Sequence, residues 1–406
     1  MRRGINSTQM QKNNRMLVFR TLLESGGMTR SEMASNLDLQ KATITNIINE
    51  FYALNIVAVE GESAAGRRGE KICLKLDGIY LMALGVTRKD YQVSIFDLYG
   101  KQEKHLRYRF ENEEPFEQAL EKMKKDALEV YESYGAQKII GVCLAVPGLF
   151  INRPEMGEEI FMVSEFEALS RVNVKAELEA VLNRKILIKH DAKLSAYAEW
   201  RCAEEIKGIE RASLAVVRSR GFGIGTGFVV NGAIMNGQLG LAGEVGYMGI
   251  NFNRTKETDR SGTFEYCAGT ESAMRYVRER LFEFPQSPLT EESSYQDVLD
   301  AYRKDDPLAK WAVEKMASML GYGIANIIYT VNPDCIIIGP DYPDTEDFLE
   351  KVRETIRRFV PPYVEQCAHI RFSALNEDSF LLGAYYYMIE RFMNDDILER
   401  IAGALA

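Results

Sequence analysis

The pattern of apolar residues changes near Asp77, and this change constrains the fold more than any other feature of the sequence. Before Asp77 the apolar residues recur mainly at helical spacing. After it, strand-like runs alternate with helical ones, which is typical of α/β architecture. The 406 residues also exceed what one hydrophobic core usually supports. We therefore expect an N-terminal domain at residues 1–76 and a larger α/β region behind it.

Three helices are predicted in the N-terminal domain. The first covers Met16–Leu23 and ends at the stop signal Ser25–Gly27, and Thr29–Glu32 has the form of a capping box that opens the second. Two short helices joined by a tight turn indicate a helix-turn-helix. The third helix turns small polar side chains away from its apolar face, where they suit base edges. They are Thr43, Thr45, Asn46 and Asn49. The alternative is that these positions are only solvated.

A wing is predicted after the third helix. Strand-like runs at 56–60 and 71–76 flank a glycine-rich tip that carries Arg67 and Arg68. Paired guanidinium groups at such a tip can contact the DNA backbone or enter the minor groove. The alternative is a surface hairpin whose arginines are solvated. The order of helix, capped helix, polar-faced helix and basic wing favours DNA binding.

The charge distribution agrees with this division. Residues 1–76 carry a formal charge of +4 and the remainder −13, within a total of −9. Only the N-terminal domain is therefore expected to face phosphates. The six cysteines lie far apart and only three histidines are present, so we expect reduced thiols and no metal. We find no apolar stretch of membrane length and no secretory signal, and we expect a cytoplasmic protein that does not contact membranes.

The α/β region contains two blocks. The first includes strand-like runs at 81–86, 91–96 and 138–146, and the second begins near Ile186 and contains the polar pair His190-Asp191. A glycine-rich run, Gly221–Gly227, and the hairpin signal Asn231-Gly232 follow. The glycines permit a phosphate to approach the backbone, but they are equally typical of close packing.

These motifs together resemble the ROK family of repressors, open reading frames and sugar kinases. The resemblance covers nearly the whole chain, and the N-terminal part is similar to that of the xylose-repressor-type members. It implies a two-lobed actin-like or hexokinase-like ATPase fold, with lobes at 77–190 and 191–406 and a C-terminal helix that could pack back on the first lobe. The residues that carry it include Pro147-Gly148, Leu187–Ala192, Gly221–Gly227, Ala242–Tyr247, Gly262–Glu265, Asn326–Asp334, Ile336–Gly339 and Leu382–Ala384.

The resemblance also implies a sugar site. Family kinases carry an Asn-Asp pair whose Asp is the general base, and here the pair is His190-Asp191. Asp191 is then a vestigial base that could accept bonds from two sugar hydroxyls, or alternatively only a helix cap. The family's Glu-x-Gly-His element is Glu244–Tyr247 here, with Tyr247 in place of the histidine, and Glu265 matches a last sugar contact. The family's zinc cysteines are absent, so no metal is expected.

The family's first phosphate loop, Asp-x-Gly-Gly-Thr, corresponds to Thr87–Tyr91, which lacks the aspartate at its start and both glycines. We therefore expect no cofactor and no useful kinase activity, although the second glycine-rich run leaves nucleotide binding open. The expected function is a repressor of carbohydrate-utilisation genes that binds operator DNA as a homodimer or dimer of dimers and senses a neutral monosaccharide. The alternatives are a sugar kinase with a DNA-binding appendage, and a regulator that has a vestigial cleft and is controlled by a protein partner.

Overall fold

The structure is a computed structural model of the 406-residue chain. It describes residues 7–60, 70–111, 114–153, 159–163, 171–209, 211–220, 223–251, 260–394 and 396–406. The chain forms two compact units. Unit 1 comprises Met1–Leu144, Val174–Ile188 and Ala384–Ala406, and unit 2 comprises Ala145–Asn173 and Lys189–Gly383.

The N-terminal helices form in the predicted order: α1 (Ser7–Ser25), α2 (Arg30–Asn36) and α3 (Lys41–Ala53). The predicted capping box is confirmed, because the Thr29 side chain accepts a bond from the Glu32 amide while the Glu32 carboxylate accepts one from the Thr29 amide. The apolar face of α3 is buried, and Phe51 meets Phe19 of α1 edge-on, with ring centroids 6.5 Å apart.

The two wing strands are β1 (Val57–Glu60) and β2 (Lys71–Leu74), paired antiparallel from Val57 opposite Leu74 to Glu60 opposite Lys71. Both strands are confirmed, although the second ends two residues earlier than predicted. Met28, between α1 and α2, forms a bridge with Ile72, which ties the wing to the helices. The tip with Arg67 and Arg68 lies outside the described residues.

Unit 1 also contains a five-stranded sheet, whose strands follow one another in the order β5 (Gln102–Arg109), β4 (Asp90–Asp97), β3 (Tyr80–Val86), β6 (Ile139–Val146) and β9 (Leu187–His190). All eight residues of β6 are buried, which explains its continuous apolar run. The C-terminal segment packs within this unit: Tyr385 donates a hydrogen bond to Leu98 O (3.0 Å), and Arg20 of α1 pairs with Glu390 (2.9 Å). The elements of unit 1 are β3 (Tyr80–Val86), β4 (Asp90–Asp97), β5 (Gln102–Arg109), α4 (Phe116–Ser133), β6 (Ile139–Val146), α5 (Val174–Leu182) and α14 (Ile397–Leu405). Two further elements belong to both units: β9 (Leu187–His190) ends in unit 2, and α13 (Ser379–Asn394) begins there.

Unit 2 is built on a second five-stranded sheet, in the order β12 (Ala233–Ile234), β11 (Gly223–Val230), β10 (Leu214–Arg220), β13 (Cys335–Ile338) and β14 (His369–Phe372). Strands β10, β13 and β14 are parallel, and the other pairs are antiparallel. The long helix α10 (Pro307–Val331) lies in the core of this unit with fourteen buried residues. The strands are β7 (Leu149–Arg153), β8 (Glu159–Val163), β10 (Leu214–Arg220), β11 (Gly223–Val230), β12 (Ala233–Ile234), β13 (Cys335–Ile338) and β14 (His369–Phe372). The helices are α6 (Asp191–Cys202), α7 (Phe264–Ala268), α8 (Thr270–Arg280), α9 (Tyr295–Tyr302), α10 (Pro307–Val331), α11 (Glu346–Ile356) and α12 (Pro362–Cys367).

The glycine-rich run is largely a strand, since β11 begins at Gly223. A Cβ at Gly227 would lie 2.5 Å from Ala192 O and 2.6 Å from Ala196 Cβ, so the glycine lets α6 lie directly against the sheet. Close packing, one of the two alternatives for this run, therefore applies at Gly227. The predicted hairpin at Asn231-Gly232 is confirmed, with positive φ at both residues (53° and 77°). Among the described residues, no helix is both long and apolar enough to cross a membrane.

Candidate functional site

The site begins where β9 ends and α6 begins. His190 is the last residue of β9 and Asp191 the first of α6, and both side chains are buried. Because the first N–H groups of a helix lack partners within it, a carboxylate at this position is stabilised, and Asp191 Oδ1 accepts from the Ala192 amide at 2.7 Å. The N-cap residue is His190, which makes no side-chain capping bond, so Asp191 contacts one of the first amides without being the cap of this helix. The same oxygen lies 3.6 Å from His190 Nε2.

The other ring nitrogen of His190, Nδ1, is not part of this contact with Asp191. It is buried and has no hydrogen-bond partner among the residues described. A buried imidazole nitrogen in this condition is uncommon in folded proteins.

Glu244, from another part of unit 2, lies near His190 and Asp191. We call the region around these side chains the corner. It is half-buried at the end of the segment Met235–Gly243, and its charge interacts with His190, Lys193 and Asp191. Burial raises the pKa of Glu244, the charges of His190 and Lys193 lower it, and Asp191 raises it further. Its carboxylate accepts no hydrogen bond and forms no ion pair within the described parts of the chain.

Lys193 is a residue of this corner that the sequence analysis missed. Its side chain is on α6, only 2 % of the residue is exposed, and its ammonium donates to Gly240 O at 2.5 Å. Burial lowers the pKa of Lys193 to about 8, with Glu244 opposing the shift and Lys189 adding to it. Lys189 donates to Asn236 Oδ1 at 3.1 Å, so both lysines hold the segment that precedes Glu244. A lysine inside the otherwise small and apolar run of residues 192–198 was the available signal.

Glu265 and Tyr247 lie beside the same loop. A Cβ at Gly246 would be 3.3 Å from Glu265 Oε2 and 2.6 Å from Ile224 O, so the carboxylate of Glu265, on α7, lies against the backbone next to Glu244. Tyr247 follows directly, and 36 % of its surface is exposed. The structure thus gathers His190, Asp191 and Glu244 and places Glu265 at the edge of the group. Their role as ligand contacts stays a prediction.

The corner offers acceptors and donors together: carboxylates from three elements, one buried ammonium and one imidazole. Where the structure describes the chain, no group of three or more His, Cys, Asp and Glu could hold a metal ion. Side chains arranged in this way can bind hydroxyl groups, which donate to carboxylates and accept from an ammonium.

The predicted DNA-contacting helix has the expected exposure at most positions. Thr45, Asn46 and Asn49 are exposed on α3, whereas Thr43 is half-buried. The Thr45 hydroxyl donates to Lys41 O at 2.8 Å, so it offers an acceptor to a partner more readily than a donor. Contact with DNA stays a prediction for all four residues.

The stretch that replaces the first phosphate loop is a tight turn between β3 and β4. The Thr87 hydroxyl donates to Asp90 Oδ1 (2.7 Å), and Arg107 pairs with the same carboxylate (3.3 Å). Arg88 and Lys89, which lie between Thr87 and Asp90 in the turn, are exposed. The carboxylate of Asp90 is therefore already engaged by neighbouring side chains.

Comparison with known proteins places this geometry in a family. Residues 81–391, most of the chain, match the ROK family. The chain belongs to the ROK family. It is 23 % identical over 396 residues to the xylose repressor of Bacillus spizizenii, covering 95 % of this chain and 97 % of the relative. A solved ROK family transcriptional regulator, described as a homologue of the E. coli MLC protein, superposes with a TM-score of 0.78 at 20 % identity and covers 97 % of this chain and 99 % of that one.

ROK kinases also match, over less of the chain. The glucokinase of Halalkalibacterium halodurans is 26 % identical over 255 residues, which cover 60 % of this chain and 74 % of the kinase. The repressor similarity thus extends over almost all of this ROK protein and the kinase similarity over part of it.

Proposed function

We propose that this ROK protein is a transcriptional repressor that binds operator DNA through its N-terminal helices and is released by a neutral monosaccharide. The observation that carries the proposal is the exposed polar face of α3 in a capped helix-turn-helix, on a chain that aligns almost end to end with a xylose repressor. The proposed targets are genes of carbohydrate utilisation, and two half-sites would require a homodimer or a dimer of dimers.

The proposed sugar site is the corner formed by His190, Asp191, Glu244 and Glu265, with Tyr247 at its rim. Carboxylates from α6, α7 and the loop before Val245 repel an anionic ligand but accept hydrogen bonds from hydroxyls. A neutral sugar therefore suits the corner better than a sugar phosphate. To change DNA affinity, the sugar must bind one conformation of the protein better than the other.

We propose further that the protein is not a kinase. Phosphoryl transfer requires a positioned nucleotide and Mg²⁺, and Thr87–Asp90 is a closed turn whose carboxylate is paired. Asp191 would then contact sugar without acting as a base.

The test is fluorescence anisotropy of labelled DNA from upstream of the protein's own gene, titrated with protein at fixed salt. Each titration is repeated with D-xylose, D-glucose and other neutral aldoses. We expect tight binding that one sugar weakens. Asp191→Asn should keep the DNA affinity and lose the response to sugar, because it removes a charged acceptor from the corner.

Asn46→Ala is the control for the DNA side. It should weaken binding to this DNA by about 1–3 kcal/mol and leave sugar binding unchanged, because a contact to one base edge contributes about that much. DNA binding that no sugar alters would contradict the sugar-responsive proposal and favour control by a protein partner.

A further inference from the structure

Strand β14 lies at the edge of the sheet in unit 2, and among the described strands only β13 pairs with it. The amides of His369 and Ser373 donate to the carbonyl oxygens of the residue before β13 and of its last residue, at 3.0 and 2.8 Å. Successive residues of a strand direct their main-chain groups to opposite sides, so the amides and carbonyls of Ile370 and Phe372 point away from β13.

The two outward carbonyls of β14 are bonded, but the two outward amides are not. Arg353 of α11 donates to Ile370 O at 3.0 Å, and the side chain of Arg371 donates to Phe372 O at 2.8 Å. The amides of Ile370 and Phe372 have no hydrogen-bond partner in the part of the chain that is described. The outer side of β14 therefore presents two donors that are two residues apart.

A groove of about 750 Å³ is lined by four consecutive residues of this segment, 368–371. The remaining lining residues are Glu205, Arg353, Arg357, Glu365 and Gln366. Each of the three lining arginines pairs with a glutamate, and 26 to 42 % of each arginine side chain is exposed. Ion pairs that are exposed to this degree contribute only about 0–1 kcal/mol, so the carboxylate of a ligand can replace a glutamate at little cost.

Exposed aromatic side chains lie beside one wall of the groove. Tyr363 belongs to α12, the helix that also carries Glu365, and is 79 % exposed. Phe359, between α11 and α12, is 50 % exposed, and its carbonyl accepts from the hydroxyl of the exposed Tyr329 at 2.8 Å. Aromatic and arginine side chains are enriched in protein–protein interfaces. The surroundings of the groove therefore favour a protein partner over a small anion.

We propose that this groove binds an extended acidic peptide of a partner protein, which adds to β14 as a further strand. Carbonyls of the peptide accept from the amides of Ile370 and Phe372, and its carboxylates bind the guanidinium groups, Arg357 among them. The outward carbonyls have a second lone pair, so they can accept from the peptide as well as from arginine. Main-chain bonds supply the affinity of such strand addition, and side chains supply the specificity. This docking surface goes beyond the proposed function and does not depend on the response to sugar.

The first test is fluorescence anisotropy with the full chain and two fluorescein-labelled octapeptides, one of alternating Glu and Val and one of alternating Lys and Val. We expect the acidic peptide to bind with a Kd of about 100 μM or tighter, and the basic peptide not to bind. Arg357→Gln should weaken the acidic peptide about five- to tenfold, because it removes one charge-assisted contact. Arg358→Gln is the matched control: it removes the neighbouring surface arginine, which pairs with Glu354 and does not line the groove, and affinity should stay within about twofold of wild type.

The second test is amide hydrogen exchange of Ile370 and Phe372, followed by NMR on protein labelled with ¹⁵N-isoleucine and ¹⁵N-phenylalanine. Saturating acidic peptide should slow exchange at both amides at least about tenfold, because each gains an acceptor.

Several results would overturn the proposal. These are the failure of the acidic peptide to bind at 1 mM, equal binding of the basic peptide, or an equal loss of affinity in Arg358→Gln. Binding without protection of the two amides would mean attraction of charges alone and no added strand. If both amides are already protected in the free protein and lose that protection on dilution, the occupant of the groove is a second copy of this chain and not a partner.

Discussion

Lys193 is a residue whose burial costs the folded protein stability. The unfolded chain hydrates its ammonium fully, whereas the folded protein leaves it 2 % exposed, and burial lowers its pKa from 10.5 to about 8. The bond to Gly240 O and the field of Glu244 offset only part of this cost. Groups that are retained at the expense of stability are typical of binding sites.

At pH 7 the free energy of unfolding of Lys193→Met should therefore equal that of wild type or exceed it by up to about 3 kcal/mol, because a pKa unit corresponds to about 1.4 kcal/mol. Between about pH 8 and 10.5 the unfolded state binds this proton and the folded state does not. Over this window the free energy of unfolding of wild type consequently rises relative to that of Lys193→Met, so the difference between the two proteins narrows. Urea unfolding of both proteins at pH 7 and pH 9.5 measures this. A difference that is the same at both values would contradict the lowered pKa.

At the scale of elements, α6 is held on both sides by backbone contacts that only glycine permits. Gly227 of β11 lies against its first turns, and Gly383 of α13 lies against its backbone at Leu194, where a Cβ would be 1.9 Å from the carbonyl oxygen. The buried Arg218 adds a bond to Ser195 Oγ (2.6 Å). The helix that carries Asp191 and Lys193 is thus held in place by neighbours on several sides.

Gly383→Ala should destabilise the protein by about 3 kcal/mol or more, because backbone atoms of two helices would have to separate. Gly403→Ala is the control, since that glycine is also helical and has nothing within 4 Å of the added carbon. Gly403→Ala should leave the free energy of unfolding unchanged or raise it by up to about 1 kcal/mol, because alanine has a higher helix propensity than glycine. Urea denaturation of the two variants compares them. Equal stabilities would mean that α6 and α13 are not in close contact.

At the scale of the whole molecule, a helix-turn-helix and a ROK region are joined in one chain. Unit 1 contains the N-terminal helices together with the first sheet and the C-terminal residues, and Arg20 of α1 pairs with Glu390 and contacts Met393 Sδ (3.4 Å). The N-terminal helices are therefore in contact with the C-terminal residues within unit 1.

A coupled assay for ADP release should detect no turnover with D-xylose, D-glucose or other neutral aldoses in the presence of Mg²⁺ and ATP. The physical reason is the Thr87–Asp90 turn, which offers neither glycine backbone nor a free carboxylate to phosphate and metal. A ROK glucokinase assayed in parallel is the positive control. Sugar-dependent ADP release that Asp191→Asn abolishes would restore the kinase alternative.

The sequence by itself determined the elements whose signals are local. The capping box at Thr29, the apolar face of α3 and the turn at Asn231-Gly232 each depend on residues a few positions apart, and all three form as predicted. The motif order that identified the ROK family is likewise readable along the chain. Strand ends were less well predicted, because the last hydrogen bonds of β2 depend on its partner strand.

Only the tertiary structure decided which polar groups are buried together. Lys193 looks like a surface lysine in sequence, but it is buried, and its ammonium contacts Gly240 O, 47 residues further along the chain. The glycines of β11 could have met a phosphate or a helix, and the fold placed α6 against Gly227. The physical reason is the same in both cases: desolvation and close packing depend on distant segments that a sequence pattern does not bring together.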